Sequence, residues 1–208
     1  MKKLAEQDYL RQLEAAVAAA ERGTKGEILV CIEGASETYR DVDHGLAALA
    51  ATVALFAIVF APDIEVDHEF VLPLLALVYV VVFATARRVP LLRRIFTTRT
   101  RRIRAARRGA RLAFFEENVA ASSERCGVLL YFSLLEDDAE ILPDVGLDGL
   151  VTRAQWEAVE RRIRQGGRPL DEALIAAVGE IGSVLASAAP AVGGVEVERL
   201  PDHARVRL

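Results

Sequence analysis

The sequence predicts an α/β (α+β) sandwich, a mixed sheet flanked by helices, interrupted by a transmembrane helical hairpin. Short apolar, β-branched segments alternate with amphipathic ones along the 208 residues, the pattern of strands and covering helices that share one layered core. Two runs, 45–61 and 70–86, contain no Lys, Arg, Asp or Glu. Directly after the second, residues 87–111 hold eleven arginines and no acid.

From the N-terminus, residues 4–21 set Leu10, Leu13, Val17 and Ala20 on one helical face, with Gly23 as a stop. The segment EILVCIEGA (27–35) is short, β-branched and bounded by Gly26 and Gly34, which predicts a buried strand. SETYRDVDH then leads into the first apolar run. Each run covers about 25 Å at ~1.5 Å per residue, the lower end of what spans a ~30 Å hydrocarbon core. Neither shows the polar–apolar alternation of a half-buried helix. Pro73 is expected in a first helical turn, where its missing N–H costs nothing. Two buried core helices of a water-soluble protein are the alternative. A cleaved signal peptide is not, because the first run begins at residue 45, behind a charged amphipathic segment.

Residues 91–122 are helix-compatible, with Ile103, Ala106, Ala110, Ala113 and Phe114 on one face and Arg104, Arg107, Arg108 and Arg111 on others. The nearly continuous apolar CGVLLYFSLL (126–135) predicts a central strand covered on both faces. EDD (136–138) marks a turn and AEIL (139–142) the returning partner strand. Thr152 and Gln155 form a capping box ahead of a helix carrying Trp156, Val159 and Ile163, which Gly166 and Gly167 end. A second helix from residue 170 aligns Leu174, Val178, Ile181 and Leu185 and stops at Pro190. VEVERL (195–200), PDH and ARVRL (204–208) predict an edge hairpin.

Charge sets the orientation. The connector 62–69 has four acids and no cation, so counting Lys and Arg near the membrane ends puts the arginine side in the cytoplasm. An even number of crossings returns the chain to the side it left. Residues 1–44 and 87–208 are therefore expected to form one cytoplasmic domain, with 45–86 as the hairpin and 62–69 as its external loop. The net charge of −4 conceals this polarity, because outside the arginine stretch 15 cations face 30 acids. Arg87, Arg88, Arg93, Arg94, Arg101, Arg102, Arg104 and Arg108 are expected at the membrane surface, each worth about 1 kcal/mol against anionic lipid head groups. An acidic protein surface, including another copy of this chain, is the second expected partner. Nucleic acid is disfavoured: no recognised nucleic-acid fold accompanies the charge, and only Phe96, Phe114 and Phe115 interleave it. Cys31 and Cys126 show neither CxxC spacing nor a disulfide framework and read as small buried hydrophobes.

Residues 111–190 resemble the TPM domain family, the group of thylakoid lumen and photosystem II repair proteins and many bacterial membrane proteins. The motifs are the helix with the Phe114–Phe115 pair, the strand–turn–strand CGVLLYFSLLEDDAEILPDVGLDGLV (126–151) with its Asp144-Val145-Gly146 unit, Trp156, Pro169-Leu170-Asp171-Glu172, and Leu185 with Pro190. EILVCIEGA looks like the family's first strand, and the inserted hairpin resembles one bacterial branch. That resemblance implies a bacterial membrane protein, and with the charge distribution the expectation is a multi-pass protein of the bacterial inner (plasma) membrane with both termini cytoplasmic. It implies a non-catalytic interaction module, in assembly or regulation of a membrane protein complex, with a membrane protein or a second copy as partner. Some TPM proteins are described as acid phosphatases, so the alternative is a divalent-metal-dependent phosphatase using the acidic turn 136–148.

The acids that would serve it are Glu136, Asp137, Asp138, Glu140, Asp144 and Asp148. Hard cations such as Ca²⁺ and Mg²⁺ take several convergent carboxylate oxygens, which makes Asp137, Asp138, Asp144 and Asp148 the candidate ligands; solvated turn carboxylates are the competing reading. No nucleophile elbow, P-loop, HExxH or Gly-rich dinucleotide fingerprint is present, and no catalytic residue is assigned. Ser133 falls in the predicted core strand, where a hydroxyl more often bonds backbone than attacks a substrate. His44, His68 and His203 lie in unrelated segments.

Overall fold

The computed structural model describes residues 7–60, 66–122, 125–165 and 168–191 and the backbone of 205–207. The elements run α1 (Gln7–Ala20), β1 (Glu27–Glu33), α2 (Arg40–Phe60), α3 (His68–Arg88), α4 (Pro90–Phe96), α5 (Arg99–Glu116), β2 (Gly127–Ser133), β3 (Asp138–Pro143), α6 (Arg153–Arg164), α7 (Leu170–Ala188) and β4 (Arg205–Arg207). They divide into two compact units, Met1–Ser36 with Arg102–Leu208, and Glu37–Arg101. The first unit is thus assembled from both sides of the insertion.

In that unit the sheet order is β3-β2-β1-β4. β1 runs parallel to β2 over Glu27–Glu33, and β3 returns antiparallel to β2. Strand alternation distributes the side chains into two layers. Ile28, Val30, Ile32, Val128, Leu130, Phe132 and Ile141 pack on one face against α1, α6 and α7, with Leu13, Trp156, Val178 and Ile181 at the contact. Leu29, Cys31, Leu129 and Tyr131 face Ala110 and Ala113 of α5. This explains why every residue of β2 is buried: a sheet covered by helices on both faces has no polar side. Both cysteines are buried, and neither is in a disulfide.

Several expectations shift by local physics. Thr97 and Thr98 break the 91–122 segment into α4 and α5. At the head of α6 the capping box forms, with Gln155 Oε1 accepting from Thr152 N–H at 2.8 Å. Strand β4 pairs with β1 in parallel at Cys31–Glu33; its expected hairpin partner, 195–200, lies outside the described residues, as do Gly166 and Gly167. Glu21, just past α1, is buried and accepts from Ile28 N–H at 2.7 Å. It satisfies a β1 donor beyond the reach of β4.

In the second unit α2 and α3 pack as a pair of 21 residues each, both long and apolar enough to cross a membrane. At about 1.5 Å per residue each reaches roughly 31 Å, more than the apolar runs alone gave. Pro73 lies inside α3 as its sixth residue, and not in the first turn. The unit also takes in α4 and the segment before α2, because ion pairs tie these flanks to the hairpin. Arg93 grips the fully buried Asp43 with two hydrogen bonds of 2.8 and 2.6 Å. Arg101 reaches Asp41 at 2.5 Å and Glu37 at 2.7 Å and lies over the Tyr39 ring.

Candidate functional site

The acids converge on α6 at the free edge of β3. In β3 the odd-numbered residues turn their backbone groups away from β2. Ile141 N–H donates to Glu160 Oε1 at 2.9 Å, Arg153 donates to Ile141 O at 3.1 Å, and Arg164 donates to Ala139 O. Pro143 occupies the next outward position, where no N–H is required. An exposed edge would template pairing with another chain; here α6 side chains cap it.

Around that seam Asp138, Glu140 and Glu160 are buried and face three arginines. Glu140 meets Arg107 at 2.9 Å, Arg153 at 3.5 Å and Arg164 at 3.8 Å. Glu160 meets Arg153 at 3.1 Å and Arg164 at 3.3 Å, and Arg164 also pairs with Asp138. Burial pushes the Asp138 and Glu160 carboxyls above their ordinary range, with the arginines pulling the other way. Buried carboxylates require such partners, since an unpaired buried charge costs several kcal/mol, about 3–5 when one partner is removed.

The predicted metal ligands are not brought together. Asp138 and Asp144 lie at opposite ends of β3, about 20 Å apart at ~3.4 Å per residue, and each is held by its own arginine. Asp144 receives Arg125 at 2.6 and 2.9 Å and caps Val145 N–H at 2.8 Å. Those Arg125 hydrogen bonds hold its carboxyl below the usual range. Asp137 sits in the left-handed region at φ 53°, exposed at the turn, and Asp148 is exposed after the short helix Val145–Leu147. Among the described residues no three His, Cys, Asp or Glu side chains gather with metal-site geometry. The extended strand between Asp138 and Asp144 pulls these carboxylates apart.

Glu136 belongs to a separate buried network at the C-terminal ends of the parallel strands. Ser133 Oγ donates to it, and Ser36 N–H donates to its two oxygens at 3.1 and 3.2 Å. The Tyr131 hydroxyl donates to Glu33 at 2.8 Å and lies 2.8 Å from Ser36 Oγ. Burial raises the Tyr131 hydroxyl well above the ordinary phenol range. Helix α5 approaches through Gly109, where an added Cβ would collide with that hydroxyl oxygen. The network fixes the chain where it leaves β1. Only the polar residues within otherwise apolar strands, Tyr131 and Ser133, could have signalled it.

A cavity of about 250 Å³ opens between α6 and α7, over Val159, Ile163, Ala173 and Ala177. Its lining acid, Glu180, is paired with Arg162, so it is distinct from the acidic turn. The arginines expected at a membrane surface divide. Arg93 pairs with Asp43, and Arg101 with Asp41 and Glu37. Arg102 is half-buried. Arg87, Arg88, Arg94, Arg104 and Arg108 are exposed, with Arg87 also over the Phe83 ring.

Neither a family model nor a curated protein matches the chain. Among solved structures it is similar to the BA42 protein from the psychrophilic bacterium Bizionia argentinensis, determined by NMR, at TM-score 0.56 and 16% identity over 99% of each chain. At that identity the likeness is one of mixed α+β fold.

Proposed function

We propose that this chain is an integral membrane protein whose α2–α3 hairpin crosses the bacterial inner membrane and holds a cytoplasmic TPM-like domain. That domain acts as a non-catalytic interaction module in the assembly or regulation of a membrane protein complex. The observation that carries the membrane reading is exposure: protein buries only 11% and 6% of the most apolar stretches of α2 and α3. Leu72 is 76% exposed and Phe60 73%, a contiguous apolar surface of the kind that belongs against lipid or protein. Polar groups inside the helices are satisfied locally, as apolar surroundings demand: the Thr52 and Thr85 hydroxyls donate to the carbonyls of Ala48 and Val81.

The non-catalytic reading is supported by the use the fold makes of its acids. Asp138, Glu140, Glu160 and Asp144 each answer an arginine, and those of the β3 edge complete its backbone bonding. Crosslinking in native membranes followed by purification in mild detergent should recover a stoichiometric partner. Repeated recovery of the lone chain contradicts the module. Divalent-dependent phosphate-ester hydrolysis that disappears in Asp138→Asn with Asp144→Asn would replace it with the phosphatase.

A further inference from the structure

Helix α4 follows α3 with one residue, Val89, between them, and Pro90 at its first position starts it in a new direction. At about 100° per residue, Leu91, Ile95, Leu92 and Phe96 fall within one ~140° arc, while Arg93 and Arg94 lie outside it. Most of the apolar arc is open: Leu91 is 61% exposed, Ile95 65% and Phe96 54%, with Leu92 half-buried. The other side is anchored. Arg93 reaches across to Asp43 in the first turn of α2, through two hydrogen bonds to a fully buried carboxylate.

Since Asp43 begins one apolar helix and Arg88 ends the other, this ion pair holds α4 at the arginine end of the hairpin. There its depth is set by the same two helices. We propose that α4 lies in the plane of the cytoplasmic membrane boundary, with Leu91, Ile95 and Phe96 inserted among the acyl chains just below acidic lipid head groups. The inference rests on the hairpin crossing the membrane. Its occupant is lipid, because the apolar arc continues from the end of an apolar span and is flanked by the exposed Arg87, Arg88 and Arg94, the composition of an interfacial helix. Arg93, bound to Asp43, is the strut that aims the apolar side.

The test uses the full chain in vesicles containing phosphatidylglycerol, with an environment-sensitive fluorophore on Ile95→Cys or, separately, Leu77→Cys in mid-α3. Both positions are exposed, and buried Trp156 reports that the fold is retained. Lipids carrying a quencher high or low on the acyl chain then read depth. The expected result is deep quenching at 77, and at 95 quenching about twofold stronger by the shallow than by the deep quencher, matching an interfacial helix seated some 5–10 Å into the boundary. Deep quenching at 77 with none at 95 overturns the inference and leaves the hairpin standing; crosslinks between copies at 95 would then give that face to a second copy. No quenching at either position overturns the membrane reading, and this inference with it.

Discussion

β2 and α3 are built from the same kinds of residue and meet opposite surroundings. Every residue of β2 is buried between two layers of helix, whereas along α3 only Ala86 is buried and Leu72, Leu77, Val80 and Val81 are open. Burying such side chains is worth about 1.5–3 kcal/mol each, so the first unit gains its stability from its own packing. The second leaves that gain unclaimed by protein. The same contrast runs through the charges: both units bury carboxylates against arginines, but the α6 seam serves a sheet edge and the Asp43–Arg93 pair serves a hairpin end. What differs is the surroundings each surface is built to meet.

The largest expected effect breaks the self-contained side of that comparison. Glu160→Ala removes the acceptor of the buried Ile141 N–H and the charged hydrogen bonds to Arg153 and Arg164, which keep Glu140 and Asp138, and these losses together should destabilise the first unit by about 3–5 kcal/mol. Thermal or urea unfolding in detergent, read by Trp156 fluorescence, checks it; a cost below about 1 kcal/mol, the range of an exposed pair, would mean the seam is not buried in solution. Next, Leu77→Asp sharpens the other side. At the centre of a membrane span it should cost insertion about 2.5–3.5 kcal/mol, while on a water-exposed surface it would change stability by no more than about 0.5 kcal/mol. The membrane-extracted fraction discriminates the two.

Gly109→Ala comes third. In an ordinary exposed helix this change stabilises by up to about 1 kcal/mol; here the new Cβ meets the Tyr131 hydroxyl and Ser36, and overpacking should destabilise by about 1–3 kcal/mol. A raised melting temperature would contradict the close approach of α5.

The smallest effect is a pH dependence. The folded pKa of Asp144 lies below its unfolded value, so its pairing with Arg125 contributes stability above about pH 4 and loses it as pH falls through the lowered value. Asp138 and Glu160 run the opposite way: their folded values are raised, and protonation on acidification favours the folded form. The melting difference between wild type and Asp144→Asn should therefore shrink as pH is lowered from 6 to about 3. A difference constant across that range would remove Asp144 from the acid response.

Periodicity made the strands β1, β2 and β3, the helices α1, α6 and α7, the capping box at Thr152 and the interruption itself legible, because each is a local pattern. The pairings were not. Asp43 with Arg93, Asp41 with Arg101, and Glu140 with Arg107 join residues 33 to 60 positions apart, and nothing in local spacing reveals them. The acidic turn was ambiguous for a related reason: spacing alone does not tell convergent carboxylates from solvated ones, and the extended β3 separates Asp138 from Asp144. The parallel pairing of β4 with β1 was hidden because a short terminal strand carries no signal of its neighbour.

The central claim is that the α2–α3 surface faces lipid and the chain returns to the side it left. Single cysteines at Asp67→Cys, before α3, and Arg168→Cys, before α7, both at exposed positions, can be probed in cells with a membrane-impermeant maleimide applied from outside the inner membrane. The account predicts labelling at 67 in intact spheroplasts and at 168 only after lysis, with the protein resisting alkaline extraction. Equal protection of both sites with release into the soluble fraction would contradict it.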